Sequence, residues 1–225
     1  MRTKRSGPTR RFEGVWRRKG LSVVAGVDEA GRGCLAGPVV AGALILPARI
    51  PRGIDDSKKL SPQKREALFE ALRDSGTHLA WGVAAPHEID TLNIRQASFL
   101  AMRRAVDQLP CRPEALLVDG FEIPDYPTPQ RALVRGDARS LSIAAASIVA
   151  KVVRDRMMVA YGERDPRYGF GKHKGYPTAQ HVLALERFGP CELHRWSFEP
   201  VRWAAAKHVA IKPARAVQLP IIESA

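Results

Sequence analysis

Five short apolar runs alternate with longer stretches of helical period along this chain, and the alternation predicts strands interleaved with helices. The first run is residues 23–27 (VVAGV), followed at once by Asp28, Glu29 and the turn-like Gly31-Arg32-Gly33. The second, residues 38–46, begins with Pro38, which a strand tolerates at its first position. Residues 79–85 form the third, residues 115–118 the fourth and residues 131–134 the fifth. Between them, Ser61-Pro62 supplies an N-cap and a first-turn proline for a helix whose stripe is Ala67, Leu68, Ala71 and Leu72, with Gly76 as its stop. Residues 94–109 predict a second helix, closed by Pro110, and residues 140–160 the clearest one, rich in alanine. On that last helix Ser147, Lys151 and Asp155 are four apart and share a face. Residues 165–178 read as a basic, aromatic loop, and residues 179–188 as a further helix. A short helical pattern from about Arg202 precedes a tail whose last dozen residues are expected to be poorly ordered.

Three of the apolar runs lead into carboxylates beside glycine: Asp28 and Glu29, then Asp119-Gly120, then Gly136-Asp137. Ionised acids are costly at the end of a buried strand unless paired or bound to a cation. Adjacent strand residues point to opposite faces. Either only one of Asp28 and Glu29 faces the site, therefore, or the strand ends there and Gly31 turns the backbone. If the strands share one sheet, the four acids converge, repel, and call for hard divalent cations, Mg2+ or Mn2+. Two such ions serve an in-line phosphoryl displacement.

Charge turns this acidic centre toward a nucleic-acid substrate. The 225 residues carry 36 Lys/Arg against 23 Asp/Glu, a formal net charge of +13, which favours an anionic partner. Residues 1–20 hold much of the excess and read as a flexible basic arm, taken as a separate segment, 1–21, before a catalytic domain over 22–201 and a tail over 202–225. No apolar stretch has the length of a signal or a membrane span. The three cysteines, Cys34, Cys111 and Cys191, lack metal spacing and form no even disulfide set. A reducing, cytoplasmic setting and a monomer are expected.

The motifs VAGVDEAGRG, LAGPVVA, DDSKKLS, LLVDG, SIAAASIVAKVVRDR, YGFGKHKGYPT and HRWSF, in this order over about residues 23–201, resemble bacterial ribonuclease HII. The resemblance implies an α/β, ribonuclease H-like fold: a mixed five-stranded sheet flanked by helices, with a small C-terminal helical part. It implies an endonuclease that cleaves the RNA strand of RNA–DNA hybrids and nicks DNA 5′ of an embedded ribonucleotide, leaving 3′-hydroxyl and 5′-phosphate ends. By the same resemblance Asp28, Glu29 and Asp119 bind metal and Asp137 is the fourth catalytic carboxylate. Gly31, Arg32 and Gly33 read the 2′-hydroxyl, which distinguishes RNA from DNA, and Tyr176 packs on the adjacent sugar. Lys58, Lys151, Lys172 and Lys174 are expected phosphate contacts. Cys34 departs from the pattern, standing where many relatives have proline, and is expected to loosen the turn. His173, His181 and His194 are expected to be structural or phosphate-facing, and Tyr168, Phe170 and the four tryptophans to be packing residues.

Two other readings compete. Ribonuclease HIII also cuts hybrids but carries an additional N-terminal domain, for which about 21 residues leave no room. A non-catalytic binder would gain nothing from four acids facing a phosphate backbone. The segment at residues 218–222 (QLPII) loosely matches a sliding-clamp-binding peptide.

Overall fold

The structure, a computed structural model, describes residues 7–208; the clamp-like segment and the terminal dozen residues lie outside the described residues. Five strands form one mixed sheet: β1 (Val24–Ala30), β2 (Val39–Ile45), β3 (His78–Ala84), β4 (Ala115–Asp119) and β5 (Gln130–Leu133), in the order β3-β2-β1-β4-β5. The β1–β2 and β2–β3 pairs are antiparallel, whereas β1–β4 and β4–β5 are parallel. This is the expected mixed five-stranded sheet, and helices cover both of its faces.

One face packs on α5 (Leu141–Arg164), the longest helix among the described residues. Its contact line is set by glycine: a Cβ at Gly26 would lie 2.1 Å from the Ser142 carbonyl carbon, and one at Gly42 would lie 2.4 Å from the Ala146 oxygen. The helix backbone can therefore rest directly on β1 and β2. The other face packs on α4 (Ile94–Asp107), where Ala25, Val27, Val39 and Ala41 meet Phe99, Met102 and Val106 in one apolar cluster. The predicted helix after Ser61 is α2 (Pro62–Asp74), with the Ser61 side chain accepting from the Lys64 amide as its cap. A short α3 (Pro86–Leu92) precedes α4. Beyond α5 come the single turn α6 (Phe170–His173), α7 (Ala179–Phe188) and α8 (Glu199–Lys207), the expected small C-terminal helical part.

The flexible-arm expectation fails for part of the N-terminal segment. Residues Arg11–Arg18 form a helix, α1, whose Phe12 and Trp16 pack beside Val24 and Leu117. The reason is Glu13, the lone acid among eight basic residues. Its Oε1 is buried and accepts from the Ser140 hydroxyl at 2.7 Å, the Ser142 amide at 2.9 Å and the Ser142 hydroxyl at 2.7 Å. The carboxylate thus satisfies the first turn of α5, where the helix dipole favours negative charge. Truncation of Glu13 to alanine should lower stability by about 1–3 kcal/mol, the cost of leaving buried donors unmade. A urea midpoint equal to that of the parent protein would show that α1 does not cap α5.

Candidate active site

The acids sit where β1 and β4 run side by side. The parallel register pairs Val27 with Val118, so Asp28 and Asp119 follow on neighbouring strands. Strand β1 does not stop at the acids as one of the two sequence readings has it. It continues through them to Ala30, with Asp28 opposite Gly42 and Glu29 opposite Ala41 on β2. The two side chains therefore leave opposite faces of the sheet. Asp28, on the α5 face with Gly26 and Gly42, is only 5% exposed. Glu29 turns to the other face, where it lines a small crevice with Arg95, Phe99, Asp119 and Phe121. Asp119, the last residue of β4, also lines a larger cavity of about 580 Å3 with Lys58, Arg135 and Asp137. It thus belongs to both sides of the sheet edge.

Asp137 arrives on a 3-10 turn, Gly136–Ala138, directly after β5. The turn is tied to β4 by the Gly136 amide, which donates to Asp119 Oδ1 at 2.5 Å. The joint is tight: a Cβ at Gly136 would sit 2.6 Å from the movable end of Ile143 and 3.2 Å from Asp119 Oδ1 and Leu133 Cβ. The DDSKKLS segment approaches from the opposite side as a 3-10 turn, Ser57–Lys59, and Lys58 Nζ lies 3.3 Å from Asp137 Oδ2. That turn is held by Arg65 on α2, which donates to the carbonyls of Ser57 and Leu60 at 2.8 and 2.7 Å.

Burial and neighbouring charge act together on Asp28, Glu29 and Asp119. Burial raises Asp28 well above the usual carboxylate range, and the charges of Glu29, Asp119 and Asp137 push it further in the same direction. Burial also raises Glu29, against the opposing pull of the Arg32 guanidinium 3.1 Å away. Asp119 is raised by burial and by Asp137, with the Gly136 amide acting the other way. On Lys58, burial acts downward but the carboxylates of Asp137 and Asp28 outweigh it, so the ammonium is raised.

The donor set suits a hard divalent cation. All four groups are oxygen ligands, Glu29 Oε2 is buried with no hydrogen-bond partner, and the Lys58 ammonium already stands against Asp137. Among the described residues no three such side chains are already gathered as a closed ligand set, so closure on an ion requires side-chain rotation. The chemistry of the residues fits; their rotamers are not those of a finished cage.

Raised folded-state values mean that the native protein binds protons more tightly than the unfolded chain. In the absence of divalent ions these acids therefore make stability fall as pH rises from the ordinary carboxylate range through their folded values. A cation competes with those protons and binds the ionised form. Saturating Mg2+ or Mn2+ should consequently raise the melting temperature more at about pH 8 than at about pH 5. An equal shift at both values would separate the acids from metal binding.

The remaining predicted residues gather on a second wall. Gly31, with φ +97°, opens the Gly31-Arg32-Gly33 turn, and the Cys34 amide donates back to the Gly31 carbonyl at 3.4 Å. Cys34 does not loosen this turn as expected: it supplies an N–H that proline lacks, and it is fully buried. Tyr176 faces the same buried thiol, and the residue as a whole is 39% exposed. Burial raises its hydroxyl, and the Cys34 thiol adds to the effect. Lys151 Nζ lies 5.4 Å from the ring centroid and 2.7 Å from Asp155. The Lys151–Asp155 stripe is therefore a half-buried pair lining a cavity of about 660 Å3 with Lys172, Lys174 and Tyr176. Ser147 on the same stripe is buried and bonds only to the Ala144 carbonyl. Lys172 is exposed, whereas the Lys174 ammonium turns back to the Gly171 carbonyl.

Sequence reasoning missed two residues that hold this wall together. Arg154 and Arg195 are both fully buried. Arg154 donates to the carbonyls of Pro38, Ala36 and Lys174. Arg195 donates to those of Gly31, Arg32, Gly37 and Pro38. Burial, then the charge of Arg154, lowers Arg195 to about 9. For Arg154 the available signal was its place three and four residues before the apolar Met157 and Met158 on the alanine-rich helix.

Comparison with known proteins agrees with this geometry. The family model described as Ribonuclease HII matches residues 25–201. A ribonuclease HII from Chromohalobacter salexigens is 55% identical over 182 residues, covering 80% of this chain and 91% of its own. One from Syntrophotalea carbinolica is 52% identical over 193 residues, 85% and 92% of the two chains. The crystal structure of ribonuclease H2 from Pyrococcus horikoshii superposes with a TM-score of 0.69 at 28% identity, over 82% of this chain and 97% of that one. RNase HII in the PCNA complex from Archaeoglobus fulgidus gives 0.56 at 26% identity, over 74% and 88%. Bst-RNase HIII, solved with Mn2+, shares the fold at a TM-score of 0.67 and 20% identity, over 82% of this chain and 70% of that one. All four carboxylates, the Gly-Arg-Gly turn and the tyrosine loop fall inside the matched span, and the chain belongs to the ribonuclease HII family of ribonuclease H endonucleases.

Proposed function

We propose that this ribonuclease H nicks duplex DNA on the 5′ side of an embedded ribonucleotide, cuts RNA–DNA hybrids in the same way, and leaves 3′-hydroxyl and 5′-phosphate ends. The observation that carries the reading is the meeting of Asp28, Glu29, Asp119 and Asp137, with three of them raised, at the edge of a basic protein. Asp28, Glu29 and Asp119 would hold divalent ions, Mg2+ or Mn2+, and a pair of them would supply Lewis acidity at the scissile phosphate and a more acidic attacking water. Asp137, held against Asp119 by the Gly136 amide, would orient that water. Lys58, whose ammonium lies 3.3 Å from Asp137 Oδ2, would face a phosphate oxygen.

Specificity would come from the second wall. The backbone of Gly31-Arg32-Gly33 can approach a ribose closely and read its 2′-hydroxyl, while the Tyr176 ring packs on the next sugar. Lys151, Lys172 and Lys174 line the cavity beside it and would face the phosphates. The domain limits follow the same reading, with catalysis in residues 22–201. Binding to a sliding clamp is said of the Archaeoglobus protein; here it would rest on residues 218–222, and a monomer would suffice for catalysis. No helix among the described residues is long and apolar enough to cross a membrane.

The test is a DNA duplex holding one ribonucleotide, incubated with Mg2+, with Mn2+ and with chelator. A metal-dependent nick on the 5′ side of the ribonucleotide is expected. Cleavage in chelator, or cleavage on the 3′ side with a cyclic phosphate end, would overturn the proposal.

A further inference from the structure

The loop that presents Tyr176 ends in a buried chain of rings. His181 Nδ1 lies 3.0 Å from the Tyr176 carbonyl oxygen, His181 Nε2 lies 3.1 Å from His194 Nε2, and His194 Nδ1 lies 3.0 Å from the Cys191 amide nitrogen. The two ends of this chain fix every proton in it. A carbonyl only accepts, so His181 Nδ1 carries a hydrogen. A backbone amide only donates, so His194 Nδ1 carries none. For neutral rings, His194 Nε2–H then donates to the bare His181 Nε2. His173, stacked on His181 at 4.4 Å, accepts from the Gly175 amide at Nδ1 and donates from Nε2 to the Tyr168 carbonyl. Burial, reinforced by the neighbouring rings, pushes His181 down to about 4 and His194 to about 3, against the weaker pull of Asp165 on His194. Neutral rings therefore persist at working pH. A second proton on either ring would set N–H against N–H.

This chain acts on a backbone that is held at three successive carbonyls by three different parts of the fold. Arg154 of α5 donates to the Lys174 oxygen at 2.9 Å, the Leu35 amide donates to the Gly175 oxygen at 2.8 Å, and His181 of α7 donates to the Tyr176 oxygen. The Leu35 bond ties the tyrosine loop to the segment that follows Gly31-Arg32-Gly33, and Arg195 ties that segment to the C-terminal part. Within the loop the Tyr176 oxygen also accepts from the Thr178 amide at 2.8 Å and the Tyr176 amide donates to the His173 carbonyl at 3.0 Å, so the His181 bond is the one that ties this residue to α7.

We propose that His181 and His194 are positioning residues for substrate discrimination: as a tautomer-locked pair running from Cys191 to the Tyr176 carbonyl, they fix the Tyr176 ring relative to the Gly31-Arg32-Gly33 turn. The inference rests on the reading of Tyr176 as the ring that packs on the sugar beside the ribonucleotide. Neither histidine touches substrate.

The experiment has two arms. In the intact protein, nitrogen-15 spectra of the imidazoles should show His181 as the Nδ1–H tautomer and His173 and His194 as Nε2–H tautomers, unchanged between about pH 6 and 8. The Nε2–H form at His181 would overturn the proposal, because Nδ1 could not then donate to Tyr176. In the second arm, His181→Asn keeps a donor near the Nδ1 position and His181→Gln does not. His181→Gln should lose about tenfold in kcat/KM on a single embedded ribonucleotide, the worth of one buried hydrogen bond, and much less on a long RNA–DNA hybrid. His181→Asn should recover most of that loss. In a Tyr176→Ala background the His181→Gln effect should vanish. Equal losses on both substrates, or equal losses for the two His181 variants, would reduce the chain to a packing role. Equal losses on the two substrates for Tyr176→Ala itself would instead strike the reading of Tyr176.

Discussion

Replacing Asp28 with asparagine should abolish cleavage and, in the presence of chelator, raise the melting temperature. The two effects have one cause. Asp28 is buried among three other carboxylates, and both burial and their charges oppose its ionisation. Without a cation its negative charge at neutral pH destabilises the fold. Asparagine keeps the oxygen that accepts from the Glu29 amide at 2.7 Å, removes the charge, and offers an N–H2 to the surrounding acids. Each kcal/mol recovered should raise the melting temperature by roughly 2–4 °C in a chain of this size. The gain should grow from about pH 5 to pH 8, as the parent protein loses the Asp28 proton. Turnover should fall by about a thousandfold, the scale on which one preorganised charged group acts in a transition state. The measurements are single-turnover nicking with Mg2+ and thermal unfolding with chelator. A variant that is less stable in chelator would mean that Asp28 serves the fold; one that turns over normally would remove it from the chemistry.

Tyr176→Ala should lose far more activity on a single embedded ribonucleotide than on a continuous RNA–DNA hybrid. The ring stands at the surface with Lys151 over it and its hydroxyl toward the buried Cys34 thiol. Ring-on-sugar or ring-on-base stacking is worth ~1–3 kcal/mol, and a 2′-hydroxyl on the contacted sugar would push against the ring. The discrimination should therefore fall where RNA passes to DNA. Tyr176→Phe should retain most of both activities, because the ring face makes the contact and the hydroxyl lies at the buried end. Comparing kcat/KM for the three proteins on the two substrates decides the matter: parallel losses would leave discrimination to the Gly31-Arg32-Gly33 backbone alone.

Much of this architecture was legible in the residues. The three inner strands and the two edge strands were visible as apolar runs, and α5 as an alanine-rich helix, because each buries one continuous face. The convergence of the acids was legible because each follows such a run. What failed was local. Of the two readings of β1, the one that ended the strand at the acids fails, since two adjacent acids only look like a terminus; opposite Gly42 and Ala41 each finds its own face of the sheet. The N-terminal segment was read as a solvated arm because its charge density hides one acid whose partners lie more than a hundred residues away. Arg154 and Arg195 escaped notice because burial of a guanidinium on backbone carbonyls leaves no charge pairing in the sequence. The histidine chain was foreseen only as structural, and its proton pattern exists only once α7 and the segment carrying Cys191 are packed together.

The Glu13–Ser142 contact spans 129 residues, and this separation has a consequence for biosynthesis. Helix α1 leaves the ribosome well before its partner near the start of α5. At ~5–20 residues per second, roughly six to twenty-six seconds separate the two. Strand β1 waits about two thirds as long for β4, its parallel neighbour. During that interval the nascent chain exposes Phe12 and Trp16 and cannot bury Glu13. Emergence of the first turn of α5 is therefore the event that closes the fold at its N-terminal end, and a pause in translation before residue 140 would prolong the exposure of α1 to chaperones and proteases.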